Sequence, residues 1–409
     1  MEVPDVGRGT RGSLVAERLK SEFLRIYGGS TDDLLVFFAP GRVNLIGEHT
    51  DYNGGHVLPA AISLGIYAAV RFDGGDFVTF ASLNEPGTVT VPLRGEIAYD
   101  PSHGWANYPK GVLKYLLKEG FGIRGCKVLY WADLPVGAGL SSSAALEVVT
   151  AYLLLYPVAG DSVDRTRLAV LCRRAENEFV GVECGIMDQF IVTMAKKDSA
   201  VLLDCDKLVY RYVPVRLDHH RLVVMNTGKK RALGESKYNE RRNECGLCLE
   251  IINSRESPGG AASSGPYRGL AQVPLAEALA CLRDEVLVRR ARHVITENRR
   301  TLQAEACLTD GDVRQFGQLM VESHRSLRDD YEVTGPELDA IVEEALRAKG
   351  CTGARMTGAG FGGCAIALVE TEKTREFILS VANAYRARTG LEPSFYLCSI
   401  VDGVRCLES

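Results

Sequence analysis

Asp133-Leu-Pro-Val-Gly-Ala-Gly-Leu-Ser-Ser-Ser-Ala-Ala-Leu-Glu147 is a glycine-rich turn that runs straight into a helix. Its glycines let backbone approach a ligand closely, its successive N–H groups can converge on an anion, and the helix behind them adds the positive end of its dipole. Three serines, Ser141, Ser142 and Ser143, supply hydroxyls able to bond phosphate oxygens or a hard cation. Taken alone, the segment reads as readily as a plain turn with a serine N-cap. No Gly-x-x-x-x-Gly-Lys-Ser/Thr occurs in the 409 residues, so the common P-loop is absent. The helix from Ser142 to about Tyr156 is apolar almost all round, which requires burial on every side.

Upstream, Ala39-Pro-Gly-Arg-Val-Asn-Leu-Ile-Gly-Glu-His-Thr-Asp-Tyr-Asn-Gly-Gly55 crowds Arg42, Glu48, His49, Asp51, Tyr52 and Asn53 into twelve positions. A folding element seldom needs so many hydrogen-bonding groups at one point, whereas a site that grips a molecule covered in hydroxyls does. Polar, glycine-rich loops are also ordinary solvated turns, and spacing alone does not separate the two. Downstream, Met356-Thr-Gly-Ala-Gly-Phe-Gly-Gly-Cys364 partly mimics a dinucleotide fingerprint. It leads into the strand-like Gly363–Val369, however, and a dinucleotide loop follows a strand and opens a helix, which argues against NAD.

Three such segments in this order and at these distances resemble the GHMP (galactose, homoserine, mevalonate, phosphomevalonate) kinase superfamily, and residues 39–55 resemble the signature of its galactokinase family. So do Trp105-Ala-Asn-Tyr108, Cys184-Gly-Ile-Met-Asp-Gln-Phe190, Ser236-Lys-Tyr-Asn-Glu-Arg-Arg242 and Ser323-His-Arg-Ser-Leu-Arg-Asp-Asp-Tyr331. The likeness runs from about Phe37 to Val401. It implies an α/β (α+β) fold of two domains, ribosomal-S5-like over 1–205 and ferredoxin-like over 206–409, with the active site between them and the final strand free to return to the first domain. The implied reaction moves the γ-phosphoryl of MgATP directly to the anomeric hydroxyl of D-galactose, giving galactose 1-phosphate and ADP.

Residue by residue, the resemblance implies Asp188 as the base and Arg42 as its orienter and charge stabiliser. From the residues alone, Arg42 and Asp188 read equally as a structural ion pair, since an acid in an apolar turn needs a partner charge. A carboxylate steadied by arginine is a weak base, so Asp188 is expected chiefly to align the hydroxyl. Glu48, His49, Asp51, Gly185 and Tyr238 match galactose-contacting positions. Trp105 matches an adenine-pocket aromatic, although a tryptophan there reads as well as core. Pro135, Gly137, Ala138, Gly139, Leu140, Ser141, Ser142 and Ser143 match the triphosphate loop. Phosphoryl transfer asks a protein mainly to position reactants and neutralise charge. Mg²⁺, which takes oxygen ligands, falls to Ser142 and Glu176, although Glu176 alone reads as a solvated helix-edge carboxylate. Asn177 departs from the pattern, since many relatives carry histidine there. The third glycine loop is expected to pack beside the phosphate loop as support.

Composition agrees with this reading. The chain is 46% hydrophobic and 24% charged with a net charge of −4, so it offers no general attraction to nucleic acid or anionic membrane. Met1-Glu-Val-Pro-Asp-Val-Gly-Arg8 lacks the apolar core of a signal peptide, no run reaches the 18 or so uninterrupted apolar residues of a membrane helix, and a cytoplasmic monomer is expected. Twelve scattered cysteines include one Cys-x-x-Cys pair, Cys245 and Cys248, with no second pair or nearby histidine to complete a zinc set, so reduced thiols are expected. His219, His220, His293 and His324 show no ligand spacing. The positive stretch Lys229–Arg242 reads as a solvated face that also draws in ATP.

Patterning predicts strands over 66–72, 127–132, 200–203, 208–213 and 221–225, and helices over 165–181, 274–308, 311–326, 336–349 and 373–388. It also predicts an exposed Gly/Ser/Pro-rich loop over 254–269 and closing strands over 363–369 and 394–401. Two rivals remain. A related sugar-1-kinase acting on N-acetylgalactosamine or galacturonate is expected to vary around Thr50 and Asn53, which here are in the galactose form. A non-catalytic sugar sensor is expected to damage the phosphate loop or the base, and both are intact.

Overall fold

The first strand of the chain breaks register with its neighbour where the sugar-signature segment begins. In this computed structural model, which describes residues 10–135, 139–229, 234–254 and 266–408, helix α1 (Thr10–Tyr27) leads into β1 (Leu35–Asn44), β2 (His56–Val57), β3 (Pro59–Phe72), β4 (Phe77–Ser82) and β5 (Thr88–Pro92). Helix α2 (Asn107–Lys118), β6 (Cys126–Ala132) and helices α3 (Ser142–Ala159), α4 (Arg165–Ala175) and α5 (Met187–Met194) complete the first half. The second half opens with β7 (Ser199–Asp204), β8 (Val209–Pro214) and β9 (His220–Asn226). Helices α6 (Gly234–Asn253), α7 (Leu275–Cys281), α8 (Glu285–Asp310), α9 (Val313–Asp329) and α10 (Gly335–Arg347) follow. It closes with β10 (Cys351–Thr357), β11 (Cys364–Glu370), α11 (Thr374–Thr389), β12 (Ser394–Cys398) and β13 (Arg405–Glu408).

A six-stranded sheet runs β13-β1-β3-β6-β4-β5, with β4 and β6 parallel and the other neighbours antiparallel. A four-stranded antiparallel sheet runs β10-β11-β9-β12, and β2-β7-β8 form a smaller third one. Between β1 and β3 the register shifts at Pro40/Gly41. Proline lacks the N–H for a ladder bond, so a bulge suits it. A Cβ on Gly41 would lie 2.8 Å from the Leu140 carbonyl oxygen, so only glycine lets β1 run this close to the phosphate loop.

Helix α3 is buried from Ala144 to Leu155. It is long and apolar enough to cross a bilayer, with mean hydropathy 1.4, yet it lies under β1 and β3 as a core helix. The helix expected over 165–181 is α-helical only to Ala175, after which Glu176–Val180 form a wider π turn ended by Gly181 at φ 88°. The single helix expected over 274–308 is two, because Leu282 is extended and the Asp284 side chain caps α8 by accepting from the Val286 and Leu287 amides. The expected loop falls largely on residues 255–265, outside the described residues. Its flanks are pinned where Asn253 and Tyr267 exchange two 2.9 Å bonds.

Candidate active site

Arg42, on β1 just past the bulge, is 4% exposed and donates from Nε to Asp188 Oδ1 at 2.9 Å and from Nη2 to Oδ2 at 2.7 Å. Its third donor, Nη1, reaches the Gly139 carbonyl at 2.7 Å, and its own amide bonds the Leu140 carbonyl at 3.1 Å. One guanidinium thus ties the aspartate in the first turn of α5 to the loop that opens α3. Ser141 caps α3 in the left-handed conformation at φ 61° and donates its hydroxyl to Asp188 Oδ2. Among the described residues Asp188 Oδ2 takes two donors and Oδ1 one, and with the side chain 26% exposed Oδ1 retains acceptor capacity for a ligand. Leu140 is buried beneath the loop, Pro135 is half-buried, and Ser142 is exposed at the start of α3. Gly137 and Ala138 lie outside the described residues.

Glu176 is not a solvated edge carboxylate. The π turn carries it inward to 5% exposure, where it accepts from Gln189 Nε2 at 2.5 Å, from Cys184 Sγ at 3.3 Å and from the Ser143 hydroxyl. Ser143 is one residue from Ser142, so Glu176 sits against the first turn of α3. Gln189 also donates to Glu147 Oε2 at 3.1 Å, while Glu147 Oε1 and Gln189 Oε1, both buried, meet no donor among the described residues. Burial raises the carboxyls of Glu147 and Glu176, and neighbouring carboxylates raise them further. Crowded carboxylates with orphaned buried oxygens supply the oxygen donors a hard divalent cation takes, beside the Gln189 amide and the Cys184 thiol. Asn177, at the departing position, accepts from the Cys184 amide at 3.1 Å and so shapes the turn before Asp188.

The sugar-signature segment folds into a tight self-bonded turn. The Thr50 hydroxyl lies 2.8 Å from the Gly47 carbonyl and 2.7 Å from that of His56, and Asn53 Nδ2 donates to the His49 carbonyl at 2.8 Å. These two positions are buried architecture rather than open recognition groups. His49 adopts φ 63°, uncommon for a residue with a side chain and a mark of a functionally constrained position. Asp51 faces Gly185 so closely that a Cβ on Gly185 would run into its carboxylate. Burial, then the charge of Asp188, raises the Asp51 carboxyl to about 6. Tyr238, on α6, packs its ring 5.6 Å from that of His49 and 5.4 Å from that of Tyr52. Asp188, Asp51, Gly185, His49 and Tyr238 are therefore gathered into one cluster. Trp105 stands apart from them, half-buried and edge-on to Tyr130 at 5.8 Å. Lys229, from the positive stretch, is paired with Glu337 at 2.8 Å.

Glu48 lies deeper than its neighbours. It is 1% exposed and receives Asn44 Nδ2 at 2.7 Å, Arg355 Nη1 at 2.8 Å and the Gly358 amide at 2.7 Å. Burial raises its carboxyl to about 7 against the pull of Arg355 and that amide. Together with His49 Nε2, which lies 3.2 Å from the Ala359 carbonyl, Glu48 joins the first glycine loop to the third. Phe361, in that third loop, is another residue at positive φ, 58°, and its amide is held by the Val333 carbonyl at 2.7 Å. Beneath them Glu297, wholly buried on α8, takes the Gly47 amide at 3.0 Å, Ser323 Oγ at 2.5 Å and Arg300 Nε at 2.8 Å. Against the upward push of burial, Arg300, with His293 and Arg355, holds Glu297 down at about 2. Sequence reasoning missed Glu297, Arg355, Glu147 and Gln189. Gln189 and Glu147 were signalled only as members of quoted motifs, Gln189 as the neighbour of Asp188 and Glu147 at the end of the glycine–serine segment.

With this geometry in view, the chain matches the model of the galactokinase galactose-binding signature over residues 21–72, which contains Arg42, Glu48, His49 and Asp51. Models of the GHMP kinase N-terminal domain and C-terminal region match residues 107–196 and 303–387. A galactokinase of Clostridium tetani is 46% identical over 396 residues, covering 96% of this chain and 98% of its own. The chain belongs to the galactokinase family. Another galactokinase, from Exiguobacterium sibiricum, is 47% identical over 91% of this chain and 94% of its own. The crystal structure of Lactococcus lactis galactokinase complexed with galactose superposes with TM-score 0.89 at 40% identity, covering 96% of this chain and 100% of that one. A mevalonate kinase at 19% identity and TM-score 0.62 shares the fold alone. The α/β architecture described above is thus that of the GHMP kinases, and the galactokinase-family residues sit around its Arg42–Asp188 pair.

Proposed function

We propose that this chain is an ATP-dependent galactokinase that transfers the γ-phosphoryl of ATP to the anomeric hydroxyl of D-galactose, giving galactose 1-phosphate and ADP. The observation that carries the reading is Arg42 bonding both oxygens of Asp188 and the Gly139 carbonyl at once, which sets a carboxylate for the sugar beside a loop for the phosphates. Support comes also from the galactokinases that match nearly the whole chain and from the galactose complex among the solved relatives.

In this reading Asp188 Oδ1 accepts the anomeric O–H and aligns its oxygen with the γ-phosphorus. Arg42 and the Ser141 hydroxyl hold the carboxylate in place, and Arg42 offsets the charge developing on the phosphoryl oxygens. Asp51, the Gly185 backbone, His49 and Tyr238 read the sugar hydroxyls, with Glu48 supporting them from beneath. Residues 135 and 137–143 cradle the triphosphate, and Trp105 flanks the adenine. Mg²⁺, when bound, neutralises phosphate charge; Ser142 and Glu176 would hold it, with Ser143 and Gln189 steadying Glu176.

A division into domains over 1–205 and 206–409, a monomeric state and a cytoplasmic location complete the proposal, the last fitting twelve cysteines in a chain of this length. A coupled ADP-release assay over galactose, glucose, N-acetylgalactosamine and galacturonate tests it: turnover is expected on galactose, and preference for any of the others overturns the substrate assignment. Asp188→Asn is expected to lose at least about 10²-fold in kcat while still binding galactose, and near-normal turnover would remove Asp188 from the chemistry.

A further inference from the structure

His49 stands at one end of a row of buried polar groups drawn from widely separated parts of the chain. Its Nδ1 lies 2.7 Å from the Tyr52 hydroxyl, that hydroxyl lies 2.9 Å from the Tyr331 hydroxyl, and the latter lies 3.1 Å from Cys245 Sγ. At the other edge of the ring, Nε2 faces the Ala359 carbonyl at 3.2 Å. A carbonyl only accepts, so Nε2 must carry a proton. Burial, with His293 and Arg241 adding to it, keeps the ring neutral, its pKa lowered to about 3. A neutral imidazole has one donor and one acceptor, so Nδ1 accepts and Tyr52 donates to it. Each hydroxyl has a single proton. The Tyr52 oxygen must therefore accept from Tyr331, and the Tyr331 oxygen from the Cys245 thiol. One backbone carbonyl in the third glycine loop orders every proton along the row.

We propose that Cys245, Tyr331 and Tyr52 form a one-way hydrogen-bond chain that fixes His49 in its Nε2-protonated tautomer and makes all three positioning residues for sugar recognition. The inference deepens the galactokinase reading of the site and rests on it for its sugar arm. Its chemical content is a division of labour on nearby residues: His49 can meet a hexose oxygen only through the Nε2 proton it shares with the Ala359 carbonyl, while Asp51, two residues on, offers acceptor oxygens to hexose hydroxyls. The chain is held rigidly. Arg241 Nε grips the Tyr331 carbonyl at 2.8 Å, Asn53 grips the His49 carbonyl, and the His49 and Tyr331 rings pack 4.8 Å apart. Bonds in such a row polarise one another, so a change at Cys245 is carried to the imidazole through the two hydroxyls.

The test combines two readouts on the full-length protein. In ¹⁵N-histidine NMR without sugar, the wild-type His49 resonance, assigned by its loss in His49→Gln, is expected to show a protonated Nε2 and a bonded acceptor Nδ1. Tyr331→Phe is expected to move the Nδ1 shift, and Cys245→Ser, which keeps a donor, to leave it in place. In kinetics with D-galactose, Tyr331→Phe is expected to raise KM for galactose on the order of fivefold, the size of one lost buried hydrogen bond, with kcat and KM for ATP within about twofold. Cys245→Ser, which keeps a donor at that place, should lie closer to wild type in KM for galactose than Cys245→Val does. A proton on Nδ1 in wild type, or Tyr331→Phe with unchanged KM and unchanged shifts, overturns the proposal. The NMR arm uses no sugar, so it fails or holds independently of whether galactose is the substrate. If Tyr331→Phe does not fold, Cys245→Val removes only the far donor and is read against the same two outcomes.

Discussion

Replacing Gly185 by alanine adds one methyl group at the point where the sugar-facing acid has least room. The φ of Gly185 lies outside the left-handed region, so alanine meets no backbone strain and the effect is steric alone. The new Cβ would overlap Asp51 Oδ2 and lie 3.2 Å from Asp51 Cβ, whereas real Cβ atoms essentially never come within 3.0 Å of another heavy atom. Asp51 Cβ can stay, so relief comes by swinging the carboxylate away through about an ångström or more, and a misplacement of about 1 Å at a positioned group costs on the order of 10²-fold. The same figure follows from charged hydrogen bonds, worth about 1.5–3 kcal/mol each. Steady-state kinetics with galactose and ATP should therefore show kcat/KM for galactose reduced about 10²-fold. Most of the loss should fall in KM for galactose, with KM for ATP unchanged. A kcat/KM within about threefold of wild type would refute the argument that Asp51 is a sugar ligand held in place by the absence of a side chain at 185.

Asp51 also predicts a pH dependence: its carboxyl is raised to about 6 by burial and by Asp188, with Arg173 opposing and Tyr238 packed alongside. Only the ionised form accepts hydroxyl protons with both oxygens, so galactose affinity should be flat above about pH 7 and fall by about tenfold per unit below about pH 6, as calorimetric titration would show; an affinity constant from pH 5 to 7 would contradict it. Glu297→Gln leaves Arg300 without its buried counter-charge and should cost about 3 kcal/mol or more in urea unfolding at neutral pH. Because the Glu297 value is held down at about 2, its contribution is present above the ordinary carboxylate range and is lost as the pH falls toward 2. The gap between wild type and variant should accordingly narrow on acidification, and a gap that widened would reverse the assignment.

What could be read from the linear chain was whatever lay close together in it. Arg42 with residues 47–55, the glycine–serine turn ahead of α3, and Asp188 beside Gly185 each announce themselves within a few positions. The strands β3, β6, β7, β8, β9 and β11 carry the β-branched and aromatic residues that patterning detects. Strand β10, Cys351-Thr-Gly-Ala-Arg-Met-Thr357, does not, because it is a strand by virtue of β11 beside it rather than by its own composition. The burial of Glu176 was hidden for a related reason: a helical pattern assumes 3.6 residues per turn, and the π turn breaks that count where the carboxylate must face inward. Arg355 and Glu297 illustrate a third limit. Each is an ordinary surface-type residue in its own helix or strand and becomes a buried partner of Glu48 or Gly47 only through contacts hundreds of positions away.

Strand β13 pairs with β1, matching Phe37 with Cys406 and Phe38 with Arg405. The sheet that carries Arg42 thus has one margin sealed by a strand that lies far along the chain. Before β13 docks, β1 offers bare amide and carbonyl groups along that side to any passing extended segment, while its other side is taken by β3. Loss of the β13 residues would leave that margin open, right beside the strand that carries the arginine of the site.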